Sequence, residues 1–239
     1  MGIKKYIPNA ITCMNLFSGC VASFFAFHGF FFWALIFILL AGLFDFFDGM
    51  AARFLHTSSP IGMQLDSLAD MISFGFVPGV IVFKHLDIIS DNNWVMFLAF
   101  FLTVFSALRL AKFNVDERQT SSFIGLATPA NAIFFAALVS TSDSMMPSFL
   151  IPDYLPRLTA PILSSLPVML VLVAIFSYLL VAEIPMFSLK FKNFTWKDNK
   201  VRFCFLIGSA LLLAIFQLGA FAFIILFYIL LSVITAYKA

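Results

Sequence analysis

The stretch Asp45-Phe46-Phe47-Asp48-Gly49-Met50-Ala51-Ala52-Arg53 is followed, after eight residues, by Gly62-Met63-Gln64-Leu65-Asp66-Ser67-Leu68-Ala69-Asp70. It sets four carboxylates into a chain that otherwise avoids charge. Near the centre of a bilayer each carboxylate costs on the order of 2.5–3.5 kcal/mol on insertion scales. Four of them at helical spacing, with an arginine and two glycines between, call for a compensating positive charge, and a divalent metal site answers that need.

The flanking composition explains why a bilayer is the right reference. Of 239 residues, 62% are hydrophobic and only 11% charged, against about 25% charged in an ordinary soluble domain. Mean hydropathy is +1.05. No soluble core of this length needs so much apolar surface, and 34 phenylalanines suit lipid-facing helices. The expected fold is all-α: one polytopic membrane helical bundle spanning 1–239, with the motif at 45–70. A net charge of +2 is too small to imply nucleic acid. Cys13, Cys20 and Cys204 lie in apolar stretches without CxxC spacing and read as small buried side chains.

Apolar runs long enough to span, or nearly so, fall at about 10–28, 31–54, 61–83, 94–113, 126–142, 162–182, 203–217 and 219–237. About eight transmembrane helices place both termini on one side. With the N-terminus in the cytoplasm, the 14 lysines and arginines fall at cytoplasmic ends and loops, except Lys84 and Arg157. That topology opens the aspartate site to the cytosol. The basic loop from Glu183 to Arg202, with Trp196, can lie on an anionic membrane surface.

Asp45 and Asp48 are three apart on a helix, and Asp66 and Asp70 four apart on the next, so each pair shares a face. Pro60 and Gly62 permit a tight reversal between them. Oxygen ligands without histidine or thiolate select Mg²⁺, Mn²⁺ or Ca²⁺ over zinc. Four carboxylates suffice for two ions, an arrangement that serves phosphoryl chemistry. Gly49 lets a ligand approach the backbone, and Arg53 offers a planar fork for phosphate oxygens. The spacing also leaves open a cation transporter or structural ion pairing with Arg53. Transporters usually show broken helices in two similar halves. The polar cluster here occurs once, in the first third, which favours an enzyme.

The pattern Asp45-x-x-Asp48-Gly49-x-x-Ala52-Arg53, eight residues, Gly62-x-x-x-Asp66-x-x-x-Asp70 resembles the full signature of the CDP-alcohol phosphatidyltransferase family. Within it the resemblance is to the bacterial membrane-embedded phosphatidylserine-synthase branch. Pro8-Asn9-Ala10-Ile11-Thr12-Cys13-Met14-Asn15 is similar to that branch's entry to the first helix. Arg109-Leu110-Ala111-Lys112-Phe113-Asn114 is similar to its Arg-Leu-Ala-Arg-Phe-Asn segment, with Lys112 for the second arginine. Phe123-Ile124-Gly125-Leu126-Ala127-Thr128-Pro129-Ala130 follows its Phe-x-Gly-Leu-Pro-x-Pro-Ala segment, with Ala127 for the first proline. Ile184 to Lys190 is similar to its sixth-helix exit.

The resemblance implies transfer of a phosphatidyl group from CDP-diacylglycerol to the hydroxyl of L-serine, with release of CMP. It implies two divalent ions, Mg²⁺ or Mn²⁺, on Asp45, Asp48, Asp66 and Asp70, with Asp70 also the base for the serine hydroxyl. Asn9, Thr12, Gly49, Arg53 and Ser59 would contact the CDP part. Serine carries a carboxylate, for which Arg109, Lys112 and Arg118 are the cationic candidates; each also reads as a topology anchor. A homodimer in the bacterial inner membrane is implied as well. Glycerol phosphate or inositol phosphate as acceptor is the alternative within the family.

Overall fold

The computed structural model describes residues 6–236 apart from 58, 93, 117–122, 190–192 and 194. Pro8 opens α1 (Ile7–Phe27), where its missing N–H would be unpaired in any case. At the far end Phe30 N bonds Phe25 O at 2.9 Å and Gly29 N bonds Ala26 O at 3.0 Å. This is a Schellman closure, and it requires the positive φ of 78° that Gly29 adopts. The chain reverses at once into α2 (Phe31–Phe54), whose first turn is capped from afar: Phe32 N donates to Asp143 Oδ2 at 2.7 Å.

Next come α3 (Pro60–Asp70), a π-helical turn (Met71–Phe76) and α4 (Val77–Ile89). The sequence run at 61–83 reads as one helix, but Pro78 cannot donate to the turn before it, and the π turn absorbs the mismatch. Its Gly75 carbonyl is satisfied by Thr103 Oγ1 at 3.1 Å. A 3₁₀ segment (Val95–Phe100) leads into α5 (Phe101–Val115).

The short α6 (Thr128–Ser140) is buried almost all round. It packs against α2 and α4, and Phe134 stacks on Phe176 at 4.0 Å. The run at 162–182 divides into α7 (Leu155–Leu163) and α8 (Leu166–Val181), bent by 86° where Pro167 starts the second piece. The last two helices are α9 (Trp196–Phe216) and α10 (Ala220–Ala236). Between them Gln217 takes φ 52° and the chain folds back, so that Phe205 meets Phe227 at 6.0 Å and Phe216 meets Phe223 at 4.5 Å. A two-residue antiparallel ladder, β1 (Phe123–Ile124) with β2 (Pro185–Met186), is the one strand pairing among the described residues.

The fold is thus a helical bundle, as the composition requires. Among the described residues five helices are long and apolar enough to cross a membrane, or six if α7 and α8 form one bent span. That count takes Trp196–Ala236 as a single apolar stretch and leaves out α6, which at 13 residues falls short of the roughly 20 a full crossing takes. The three cysteines depart from expectation: Cys13, Cys20 and Cys204 are all exposed. In α1 the buried stripe runs through Pro8, Thr12, Asn15, Gly19, Ala22 and Ala26, and Cys13 and Cys20 lie off it. An outer face that meets hydrocarbon accepts a small apolar side chain as readily as a core does.

Candidate metal and nucleotide site

The small, polar stripe of α1 lets it lie close to α2 and the π turn. A Cβ on Gly19 would sit 2.3 Å from Ser73 Oγ, and Ser73 Oγ itself donates to Asn15 O at 3.1 Å. α2 ends in a second Schellman closure, with Thr57 N on Ala52 O at 3.0 Å and His56 in the left-handed region at φ 49°. Ser59 caps α3 by accepting Gly62 N at 3.0 Å, and Pro60 follows at its first turn. The reversal leaves the last turns of α2 facing the first turns of α3 across an open space, with α1 packed against both helices.

Asp45 and Asp48 on α2 and Asp66 on α3 each offer a carboxylate oxygen, and these atoms all lie within 4.8 Å of one another. Two unit charges 4.8 Å apart repel by about 3.5 kcal/mol at an effective dielectric of about 20. Asp48 Oδ2 and Asp66 Oδ1 are buried without a hydrogen-bond partner. Buried carboxylate oxygens left in this state point to a cation as the missing partner. Arg53 does not supply it. Its Nε donates to Gly49 O of its own helix at 3.0 Å, its side chain is exposed, and among the described residues it forms no ion pair with the aspartates. The all-oxygen donor set and its orphaned atoms fit Mg²⁺ or Mn²⁺.

A cavity of about 870 Å³ opens beside these carboxylates. Asn9, Thr12, Asp48, Gly49, Ser59 and Asp66 all contribute to its lining. Four of the five residues assigned to CDP are therefore together in one place, and Arg53 is outside the lining. Gly49 has open space where a Cβ would stand, so it is not there for helix packing. Gly62 is different. A Cβ there would meet Asn9 Oδ1 at 2.9 Å and Ser59 Oγ at 3.0 Å. The glycine keeps both polar groups at the cavity wall.

Asp70 lies one turn beyond Asp66 and accepts a hydrogen bond from Asn15 Nδ2 at 3.1 Å. Asn15 is fully buried, and its Oδ1 has no partner. The sequence reading did not single it out as a site residue. The signal was present, since an amide three residues after Thr12 continues the polar stripe of an apolar helix. Arg109 on α5 is only 6% exposed. Its Nε donates to the Leu126 carbonyl and its guanidinium lies 5.9 Å from the Phe113 ring centroid. Lys112 is exposed, and Arg118 lies outside the described residues. Asn114 Nδ2 bonds Ser67 Oγ at 2.9 Å and ties the end of α5 to α3.

These features coincide with a family match over nearly the whole chain. The model of the CDP-alcohol phosphatidyltransferase family matches residues 5–237, and the chain belongs to that family. Among its relatives is a Helicobacter pylori (strain ATCC 700392 / 26695) protein named CDP-diacylglycerol–serine O-phosphatidyltransferase. It is 33% identical over 134 residues, covering 55% of this chain and 56% of the relative. A Bacillus subtilis (strain 168) protein of the same name is 34% identical over 142 residues, covering 59% of this chain and 80% of the relative. One from Methanocaldococcus jannaschii is 29% identical over 140 residues, covering 59% and 63%. The aligned part spans little more than half the length of the H. pylori relative.

Proposed function

We propose that this chain, as a single integral-membrane domain over 1–239, transfers a phosphatidyl group from CDP-diacylglycerol to L-serine and releases CMP. The observation that carries the reading is the convergence of Asp45, Asp48 and Asp66, of which Asp48 and Asp66 line a cavity that also gathers Asn9, Thr12, Gly49 and Ser59. The relatives named above, each a serine O-phosphatidyltransferase by name, support serine as acceptor. In this reading the fold crosses the bacterial inner membrane about eight times, α9 and α10 being separate legs. Both termini and the site face the cytoplasm, and the functional unit is a homodimer.

The cavity holds the cytidine and diphosphate, with the acyl chains left in the bilayer. Asp45, Asp48 and Asp66, with Asp70 one turn further on, would hold two divalent ions, which would supply positive charge against the diphosphate and the leaving CMP. Asn9, Thr12 and Ser59 offer polar contacts, and the bare backbone at Gly49 allows close approach. Arg53 reaches the phosphates from the cavity rim by leaving its own-helix carbonyl. Asp70, oriented by Asn15, takes the proton of the serine hydroxyl. The serine oxygen forms its bond to the β-phosphorus as the bond from that phosphorus to the CMP oxygen breaks. Arg109 receives the serine carboxylate through its guanidinium nitrogens beyond Nε, with the exposed Lys112, and Arg118, as outer cations.

Purified protein in detergent should release CMP from CDP-diacylglycerol only when L-serine and Mg²⁺ or Mn²⁺ are both present, and a chelator should stop it. CMP release that depends on glycerol phosphate or inositol phosphate instead would replace serine as the acceptor. Ion flux through reconstituted vesicles without CDP-lipid would overturn the enzyme reading.

A further inference from the structure

Two side chains from helices far apart in sequence hold the two strands of one ladder. In β1 and β2, Phe123 stands opposite Met186 and Ile124 opposite Pro185. One more bond extends the pairing, Gly125 N on Ile184 O at 2.9 Å, and the next residue is tied to α8 instead, Leu126 N on Leu179 O at 2.8 Å. Where the first strand leaves, the Leu126 carbonyl accepts Arg109 Nε from α5. Where the second leaves, the Phe187 carbonyl accepts the Tyr228 hydroxyl from α10 at 3.0 Å. The Tyr228 ring is packed between Phe187 at 4.9 Å and Phe205 at 5.8 Å, so the hydroxyl has little freedom to leave. Gly125 has φ 75°, and a Cβ there would stand 2.8 Å from Leu180 O, so this joint is closely fitted.

The consequence falls on Arg109. Its guanidinium is buried, and its Nε is fixed on the Leu126 carbonyl, two residues past β1 and next to Gly125, whose N–H is bonded to the second strand at Ile184 O. Recognition of a carboxylate by a planar fork depends on placement to within about half an ångström. Whatever holds the ladder therefore sets where the fork points. The end of α5 is tied to α3, the helix of Asp66 and Asp70, by Asn114 Nδ2 on Ser67 Oγ at 2.9 Å, which sets Arg109's helix beside that part of the site.

We propose that Tyr228 is a positioning residue for the acceptor: through the Phe187 carbonyl and the β1–β2 ladder it holds the Leu126 carbonyl, and with it the Arg109 guanidinium, in register with Asp70. This rests on the reading that Arg109 meets the acceptor carboxylate. α10 carries no residue of the aspartate signature, and the Tyr228 hydroxyl on Phe187 O is its link to this joint.

The test is steady-state kinetics of the full chain in detergent, with serine and CDP-diacylglycerol varied separately, for Tyr228→Phe, Arg109→Lys and the double variant. Losing the hydroxyl should raise the serine KM about three- to tenfold. The CDP-diacylglycerol KM should stay within about twofold, a split that a general loss of packing would not produce. Arg109→Lys should raise the serine KM in the same direction. The double variant should then fall short of the product of the two, because both act through one carbonyl. A serine KM unchanged in Tyr228→Phe while Arg109→Lys raises it would overturn the role of Tyr228 alone. An equal rise in both KM values would overturn it as well. A serine KM unchanged in Arg109→Lys would instead remove the acceptor reading beneath it.

Discussion

Asn15 and Asp70, 55 positions apart in the chain, share a hydrogen bond of 3.1 Å inside the bundle. Asn15 is the donor, so one carboxylate oxygen of Asp70 is fixed and the other is left for chemistry. This single contact joins α1, which lines the nucleotide cavity, to the helix that carries the proposed base.

Asn15→Ala removes a hydrogen bond to a charged group, worth about 1.5–3 kcal/mol. The expected result is a fall in kcat of roughly ten- to hundredfold at saturating substrates, with the CDP-diacylglycerol KM little changed. Rapid-quench or steady-state CMP release measures it. A wild-type kcat would mean that Asp70 needs no orientation from α1.

Asp45→Asn and Asp66→Asn should abolish turnover at saturating Mg²⁺ or Mn²⁺, because an amide keeps the shape and loses the charge. The same variants should make the metal-free protein more stable, since each removes like-charge repulsion among oxygens within 4.8 Å. A gain of about 1 kcal/mol would raise the thermal midpoint by roughly 2–4 °C. Melting curves taken with chelator, beside activity assays, check both parts. A lower midpoint in chelator would show that the carboxylates are held by something other than a cation.

Gly62→Ala should push Asn9 away from the cavity wall, since the added methyl would stand 2.9 Å from Asn9 Oδ1. Overpacking of this kind costs about 1–3 kcal/mol. If the cost falls on the nucleotide pocket, the CDP-diacylglycerol KM rises about five- to hundredfold while the serine KM stays near its starting value. Kinetics with the two substrates varied in turn decide the matter.

Sidedness has its own test. A cysteine at Ser148 should react with a membrane-impermeant maleimide only from outside the cell, and one at Lys197 only after the membrane is opened. The basis is the distribution of lysine and arginine along the chain. Labelling with the opposite sidedness would move the aspartate site to the other face of the membrane.

The helical bundle and the carboxylate faces were legible in the chain because both rest on local periodicity. Apolar runs of about 20 residues report spans, and spacings of three and four report a shared helical face. Pro60 and Gly62 announced the reversal between α2 and α3. Breaks within apolar runs were less legible. A hydropathy window passes over the π turn at Met71–Phe76 and the bend before Leu166, because Ser73, Ser164 and Ser165 barely lower the mean of their windows, whereas the reversal at Gln217 falls between the runs at 203–217 and 219–237.

What the amino-acid sequence determined by itself was therefore the solvent, the predominance of helix and the helical faces that carry the aspartates, of which Asp45, Asp48 and Asp66 come within 4.8 Å of one another. The tertiary structure decided which distant groups meet them: Asn15 on Asp70, Asn9 and Ser59 around Gly62, Arg109 on the Leu126 carbonyl, and Arg53 turned back on its own helix. It also turned the cysteines outward, against the expectation of burial. The physical reason is that helical periodicity fixes which residues share a face, whereas the rotation and depth of one helix against another are set by packing of the whole bundle.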